Sequence, residues 1–219
     1  MSVEPIIAEL RRALSSLAPP GCAYEVAAVG GYLTALRESE LNLVGAWAPH
    51  RQQEFAAGRS CARHALLQLD VAAGDLLPNI DGIPRWPEGV LGCISHSRGI
   101  AMAVAARGGV SVVLGLDLEK TNRLSKSAMK KVVHPLEADF VASDQVRASI
   151  LFSLKEAFYK AQFPRWRTPG NFHDLALEVD LEAGVAEVLE LDVRFAAELE
   201  RLNFSFRLVD DYVLSLCWM

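Results

Sequence analysis

The sequence predicts an α+β chain organised as two halves, each combining helices with short strands, and three observations lead there. Apolar residues recur at helical spacing over 5–17 and from about Ser39 to Leu69 in the first half, and again through "LEADFVAS" and "RASILFSLKEAFYKAQF" in the second. Short apolar runs bounded by glycine or charge, "GIAMAVAA" and "VVLGLDLEK", read as strands. From Leu175 onward the chain alternates at short range, as hairpin strands do, with turns at Gly184 and Asp210-Asp211.

Taken in order, the first helix ends at "PPG", residues 19–21. "CAYEVAAVGGYL" then gives a strand and a Gly-Gly turn. The pattern over 39–69 is strongly helical, with Arg51, Phe55, Arg59 and Arg63 at steps of four. "DGIPRWPEG" at 81–89 is loop chemistry, dense in Gly and Pro. "GCISHS" opens a strand–turn unit, "RGGV" at 107–110 is a candidate hinge, and a mixed polar stretch runs to Pro135.

At 219 residues, folding buries roughly 70% of the chain's surface, so a sizeable core is available. Apolar residues make up 51% and charged ones 22%, as in ordinary globular proteins. A net charge of −5 excludes an overall basic field for nucleic acid or acidic membranes. Cys22, Cys61, Cys93 and Cys217 lack CxxC spacing and read as thiols of a reducing compartment. The opening "MSVEPIIAELRRAL" carries Glu4 and Glu9 and does not read as a secretory signal. No uncharged run approaches the ~20 residues of a membrane span. A cytoplasmic protein is expected.

Four stretches carry chemistry. In "GLDLEK", strand alternation points Asp117 and Glu119 to one face. Two like charges that close repel unless a cation or proton lies between them. They are either solvated acids at a strand end or a site for Mg²⁺, which prefers oxygen ligands. In "FSLKEAFYKA", Glu156 and Lys160 lie one turn apart: a surface pair, or a third ligand beside the cations Lys155 and Lys160. In "SHS", Ser95 and His96 are structural or donate to a phosphate. Arg51, Arg59 and Arg63 fall on one broad side of a helix, a solvated basic face or a set of phosphate forks. Separately, Lys120, Arg123, Lys126, Lys130, Lys131 and His134 make a basic run in an acidic protein, an exposed face or a dock for an acidic partner.

In this order, "GRSCARHAL", "GIPRWPEGVLGCISHS", "GLDLE" and "FSLKEAFYKA" resemble the 4'-phosphopantetheinyl transferase superfamily, in particular its single-chain enterobactin-synthetase type. Phe152 stands where many members have Trp, and Cys93 where a small residue is common. The resemblance implies the transferase fold of two similar α/β halves related by a pseudo-twofold, here 1–108 and 109–219, with coenzyme A between them. It implies that the phosphopantetheine arm of coenzyme A moves to a serine of an apo peptidyl, aryl or acyl carrier protein, leaving adenosine 3',5'-bisphosphate. It assigns Mg²⁺ (Mn²⁺ the alternative) to Asp117, Glu119 and Glu156, and phosphate contacts to Lys155 and Lys160. It gives His96 the coenzyme A 3'-phosphate, Arg51, Arg59 and Arg63 other phosphate contacts, and Gly82, Ile83 and Pro84 the border of the adenine. The proton of the carrier serine goes to Glu156 or to a metal-bound water beside it. A monomer serving siderophore or other secondary metabolism is the expectation. The alternatives are a non-catalytic coenzyme A- or carrier-binding module and a Mg²⁺-dependent nucleotide pyrophosphate hydrolase.

Overall fold

A computed structural model describes residues 3–109 and 112–219; Val110, part of the expected hinge, lies outside the described residues. The chain divides into two units, Met1–Val112 and Val113–Met219.

The N-terminal unit begins with helix α1 (Glu4–Leu17), whose Ile7, Leu10, Leu14 and Leu17 form one buried stripe. Strand β1 (Cys22–Ala28) follows. The helical pattern over 39–69 is realised as two helices, α2 (Glu38–Val44) and α3 (Pro49–Gln68). The break has a plain cause: Pro49 has no amide to continue a helix and is suited to the first turn of a new one. "GCISHS" and "GIAMAVAA" form β2 (Val90–Ser97) and β3 (Ile100–Arg107). The two-residue turn between them, Arg98-Gly99, has both φ values positive, as tight hairpins require. The sheet order is β1-β3-β2, fully antiparallel. Ala57, Cys61, Ala62 and Leu66 of α3 pack with Ala101 and Ala103 of β3 to form its core.

The C-terminal unit opens with β4 (Leu114–Lys120), then α4 (Lys126–Val132), a single-turn helix α5 (Ala138–Val141) and α6 (Gln145–Trp166). Asp144 caps α6, its carboxylate accepting from the amides of Val146 and Arg147 at 2.7 and 3.1 Å. Strands β5 (Leu175–Asp180), β6 (Val185–Leu191), β7 (Asn203–Val209) and β8 (Tyr212–Trp218) complete a sheet of order β4-β8-β7-β6-β5. The turns fall at Gly184 and Asp210-Asp211, as the alternation predicts. Leu154, Ala157, Phe158 and Ala161 of α6 cover Leu175, Phe204, Phe206 and Val213.

The two units repeat one plan. In each, a strand precedes a long helix, and a hairpin with a two-residue turn follows it. The second strand of that hairpin pairs with the first strand of the unit, giving β1-β3-β2 and β4-β8-β7; β5 and β6 extend only the second sheet. The expectation of two similar α/β halves is met in these topologies. No helix among the described residues is long and apolar enough to cross a membrane.

Candidate active site on β4 and α6

The acids of "GLDLE" stand on the face of β4 that meets α6, and Gly115 is the reason α6 lies so close. A Cβ at 115 would fall 2.0 Å from the Ala157 carbonyl oxygen and 2.8 Å from the Ala161 nitrogen. Two residues along the same face, Asp117 is 2% exposed; Ser153 Oγ donates to its Oδ2 at 2.9 Å and Lys160 Nζ to its Oδ1 at 2.6 Å. Glu119, also buried, pairs with Arg123 through Oε1, while its Oε2 is buried with no hydrogen-bond partner. Glu156 extends from the next turn of α6 and also lines a cavity of about 270 Å³ walled by Phe158, Tyr159, Phe172 and Phe195.

These placements set the electrostatics. Burial, and then the charge of Asp117, push the Glu119 carboxyl above the ordinary range, with Arg123 opposing. Glu156 is pushed up by the same two causes in the same order, Lys160 opposing. Three acids therefore sense one another in a partly dry site, held by Lys160 and Arg123.

Raised carboxyl pKa values make a signed prediction. The proton-bound forms stabilise the fold; that contribution is complete below the ordinary glutamic acid value of about 4.3 and is lost as pH rises through the raised values. In a chelator, Glu156→Gln is expected to melt above wild type near pH 8, the gap closing toward pH 4. Thermal unfolding against pH measures this, and a gap that grows in acid contradicts it.

Lys155 leaves α6 about 100° from Glu156, though both reach the wall of the aromatic-lined cavity. Lys155 is 3% exposed, and its ammonium donates to Val132 O at 3.0 Å, Glu137 Oε2 at 2.7 Å and Phe172 O at 2.8 Å. An ammonium has three protons, and all are engaged inside the unit. It does not face a phosphate in this conformation.

In the N-terminal unit the three arginines do not form one basic face. Arg51 is exposed and pairs with Glu54 at 2.7 Å. Arg59 turns inward, 6% exposed, donating from Nε to Leu76 O at 2.7 Å with its guanidinium 4.0 Å from the Phe55 ring centre; burial lowers its pKa to about 10. Arg63 pairs with the fully buried Glu40. Arg59 and Arg63 thus engage acceptors within the unit, because α3 is buried on several sides. His96 Nδ1 lies 3.8 Å from Glu54 Oε1, so Arg51 and His96 converge on that carboxylate. Ser95 does not join them. Strand alternation puts it on the opposite face of β2, 4% exposed. Gly82, Ile83 and Pro84 form a tight loop in which Asn79 Oδ1 accepts from Ile83 N at 3.0 Å and Gly82 takes φ +81°.

Comparisons with known proteins give the family of the chain. Residues 113–217 match the family model of the 4'-phosphopantetheinyl transferase superfamily, and residues 39–106 that of the 4'-phosphopantetheinyl transferase N-terminal domain. The chain is 36% identical over 155 residues to 4'-phosphopantetheinyl transferase PptT of Mycobacterium tuberculosis, covering 69% of this chain and 68% of that one. The chain belongs to the 4'-phosphopantetheinyl transferase superfamily. It is also 37% identical over 142 residues to 4'-phosphopantetheinyl transferase Svp of Streptomyces mobaraensis, and 31% identical over 142 residues to enterobactin synthase component D of Salmonella typhi. These matches cover 62% and 57% of this chain, and 58% of each relative. The expected likeness to the enterobactin-synthetase type is borne out by these relatives.

Members of this superfamily imply a divalent ion, and the residues here fit one by chemistry. The donors are all carboxylate oxygens, one of them, Glu119 Oε2, buried without a partner, and burial, followed by the charge of Asp117, holds two of the carboxyls above the ordinary range. Among the described residues no three His, Cys, Asp or Glu side chains close into a metal-holding group, because Lys160, Ser153 and Arg123 engage Asp117 and Glu119. Mg²⁺ keeps several waters and needs few protein oxygens.

Sequence reading missed Ser153, Glu40, Glu54 and Glu137. Glu137 had a signal, "HPLE", in which an acid three residues after the cap reaches back to the cap amide; His134 N donates to Glu137 Oε2 at 2.8 Å.

Proposed function

We propose that this chain transfers the 4'-phosphopantetheine arm of coenzyme A to a serine of an apo carrier protein, releasing adenosine 3',5'-bisphosphate. The observation that carries the reading is the buried cluster of Asp117, Glu119, Glu156 and Lys160 in a chain of the transferase superfamily. The serine Oγ forms a bond to the phosphorus that bears the arm, the pyrophosphate P–O bond breaks, and the serine proton goes to Glu156. Lys160, 27% exposed at its side chain, places fixed positive charge where the pyrophosphate's own charge must be offset. A Mg²⁺ held by Asp117, Glu119 and Glu156 would supply Lewis-acid stabilisation of phosphate oxygens. Exposed Arg51 and half-buried His96 are the pair suited to a further phosphate of coenzyme A. The four cysteines are free thiols, which supports a reducing, cytoplasmic setting.

The test is mass spectrometry of an apo carrier incubated with coenzyme A, Mg²⁺ and the protein. The carrier gains the mass of the arm if the reading is right; unaltered carrier with cleaved coenzyme A means a hydrolase, and no reaction with bound coenzyme A means a binding module. A panel of peptidyl, aryl and acyl carriers tests the reading of siderophore or other secondary metabolism.

The carrier's dock is proposed on α4. Lys120 and Arg123 of the basic run are held by Asp211 and Glu119, but Lys126, Lys130 and Lys131 are exposed. Lys126 and Lys130 rim a groove of about 470 Å³ with Met129, Val133 and Pro135 along it, and Lys131 follows Lys130 on the same helix. Apolar floor and cationic rim suit an acidic amphipathic helix. Reversing Lys130 and Lys131 to Glu is expected to raise KM for the carrier on the order of tenfold, the scale of losing two charges of the dock. KM for coenzyme A should not change. The opposite split moves these lysines to the coenzyme A site.

A further inference from the structure

Two carboxylates that no step of the proposed reaction uses sit in the same bonding pattern, one in each unit. Glu137 is 1% exposed; its Oε2 accepts from His134 N at 2.8 Å and Lys155 Nζ at 2.7 Å, and its Oε1 accepts from Leu177 N at 2.9 Å. Glu40 is 0% exposed; its Oε2 accepts from Arg37 N at 3.0 Å and from Arg63 Nη2, and its Oε1 accepts from Leu76 N at 2.9 Å. In both, the first amide belongs to the residue three before the glutamate, the cation comes from the unit's long helix, and the last amide lies beyond that helix. The cation also reaches the carbonyl five residues before the glutamate, Val132 in one unit and Ala35 in the other. One oxygen thus ties a helix start to the long helix, and the other ties in the segment after it.

We infer that Glu137 and Lys155 are positioning residues, a buried latch that sets the rotation and height of α6 so that Glu156 and Lys160 meet the β4 acids. Glu40 and Arg63 are the matching latch of α3, which carries Arg51 and Glu54. The inference rests on the transferase reading for its effect on rate, but not for the latch itself. Lys155 lies about 100° around α6 from Glu156 and about 140° from Lys160, so it braces the helix from a different side. A lysine with three acceptors within 3.0 Å of its ammonium fixes its own helix more tightly than packing alone. Arg63, half-buried, takes the equivalent role in the other unit.

The experiment exploits the rule that breaking one side of a buried pair is worse than removing both charges. Lys155→Met leaves Glu137 unpaired; it is expected to lower Tm and to cut kcat on the order of 100-fold, the scale of a displaced reacting group. Its Kd for coenzyme A, by calorimetry, should rise by no more than it does in Lys160→Met, because the latch reaches the pyrophosphate only through α6. Adding Glu137→Gln removes the unpaired buried charge, at the cost of turning one of the two acceptors of backbone amides into a donor, and is expected to restore part of the Tm and about tenfold of the kcat. Arg63→Met and Glu40→Gln should show the same recovery of Tm. The inference is overturned if the double variant is no better than Lys155→Met in both Tm and kcat. It is equally overturned if Lys155→Met weakens coenzyme A binding by tenfold or more in a Lys160→Met background, which would make Lys155 a phosphate contact of its own. If the wild-type chain loads no carrier, the transferase reading fails by itself, and the recovery of Tm in the double variant decides the latch.

Discussion

Gly115→Ala is expected to destabilise the C-terminal unit by about 3 kcal/mol, the upper end for overpacking, and to abolish carrier loading. The added methyl group would lie 2.0 Å from the carbonyl oxygen of Ala157, a backbone atom that cannot rotate away. Either α6 retreats or β4 bends. Both outcomes separate Ser153 and Lys160 from Asp117, because those hydrogen bonds, at 2.9 and 2.6 Å, have no slack. The drop in Tm should be roughly 10–20 °C for a unit of this size. Gly74 is the control, since a Cβ there meets no atom within 4 Å. Circular dichroism melts of the two variants settle the matter: a Gly115→Ala protein that melts with wild type would mean that the close approach of α6 to β4 does not build the site.

Asp117→Ala is expected to cut carrier loading at least 100- to 1,000-fold, roughly the loss seen when one preorganised electrostatic partner is removed. The fold should survive. Asp117 raises the pKa of both Glu119 and Glu156, so its removal relieves repulsion at neutral pH, and Lys160 is exposed enough to turn toward water. Ser153 loses an acceptor inside the unit, a cost of about 1–3 kcal/mol that Asp117→Asn largely avoids. Both variants should therefore be inactive while melting within a few degrees of wild type. Full loading by Asp117→Ala would remove this carboxylate from the proposed chemistry.

Much of this site is legible in the sequence because its signals are local. Alternation along a strand requires Asp117 and Glu119 to share a face, and they do. A long apolar-periodic run requires a helix, and α6 carries Glu156 and Lys160 to that face. What escapes reading is decided by neighbours far along the chain. The seven residues of α4 include one buried residue, Val132, so they show no apolar period and read as polar connection. Arg63 and Lys155 look like ligands because cations in a motif are read as reaching outward. Glu40 and Glu137, 23 and 18 residues before them, turn them inward. Ser95 and His96 are adjacent in a motif but cannot share a face in a strand. The break between α2 and α3 was written in "GAWAP", where a proline begins the second helix.

The repeated plan of the two units gives the protein an internal control. Each hairpin turns through two residues, so position can be counted from the turn. Glu25 pairs with Ala103 as Asp117 pairs with Ser215, and Ala27 pairs with Ala101 as Glu119 pairs with Val213. The first copy keeps one acid, already bound to Arg11, and puts a methyl group where the second acid would be. The same architecture is thus present once with its charges and once without. What the second copy does and the first does not can be ascribed to a handful of side chains, with the backbone held constant by the molecule itself.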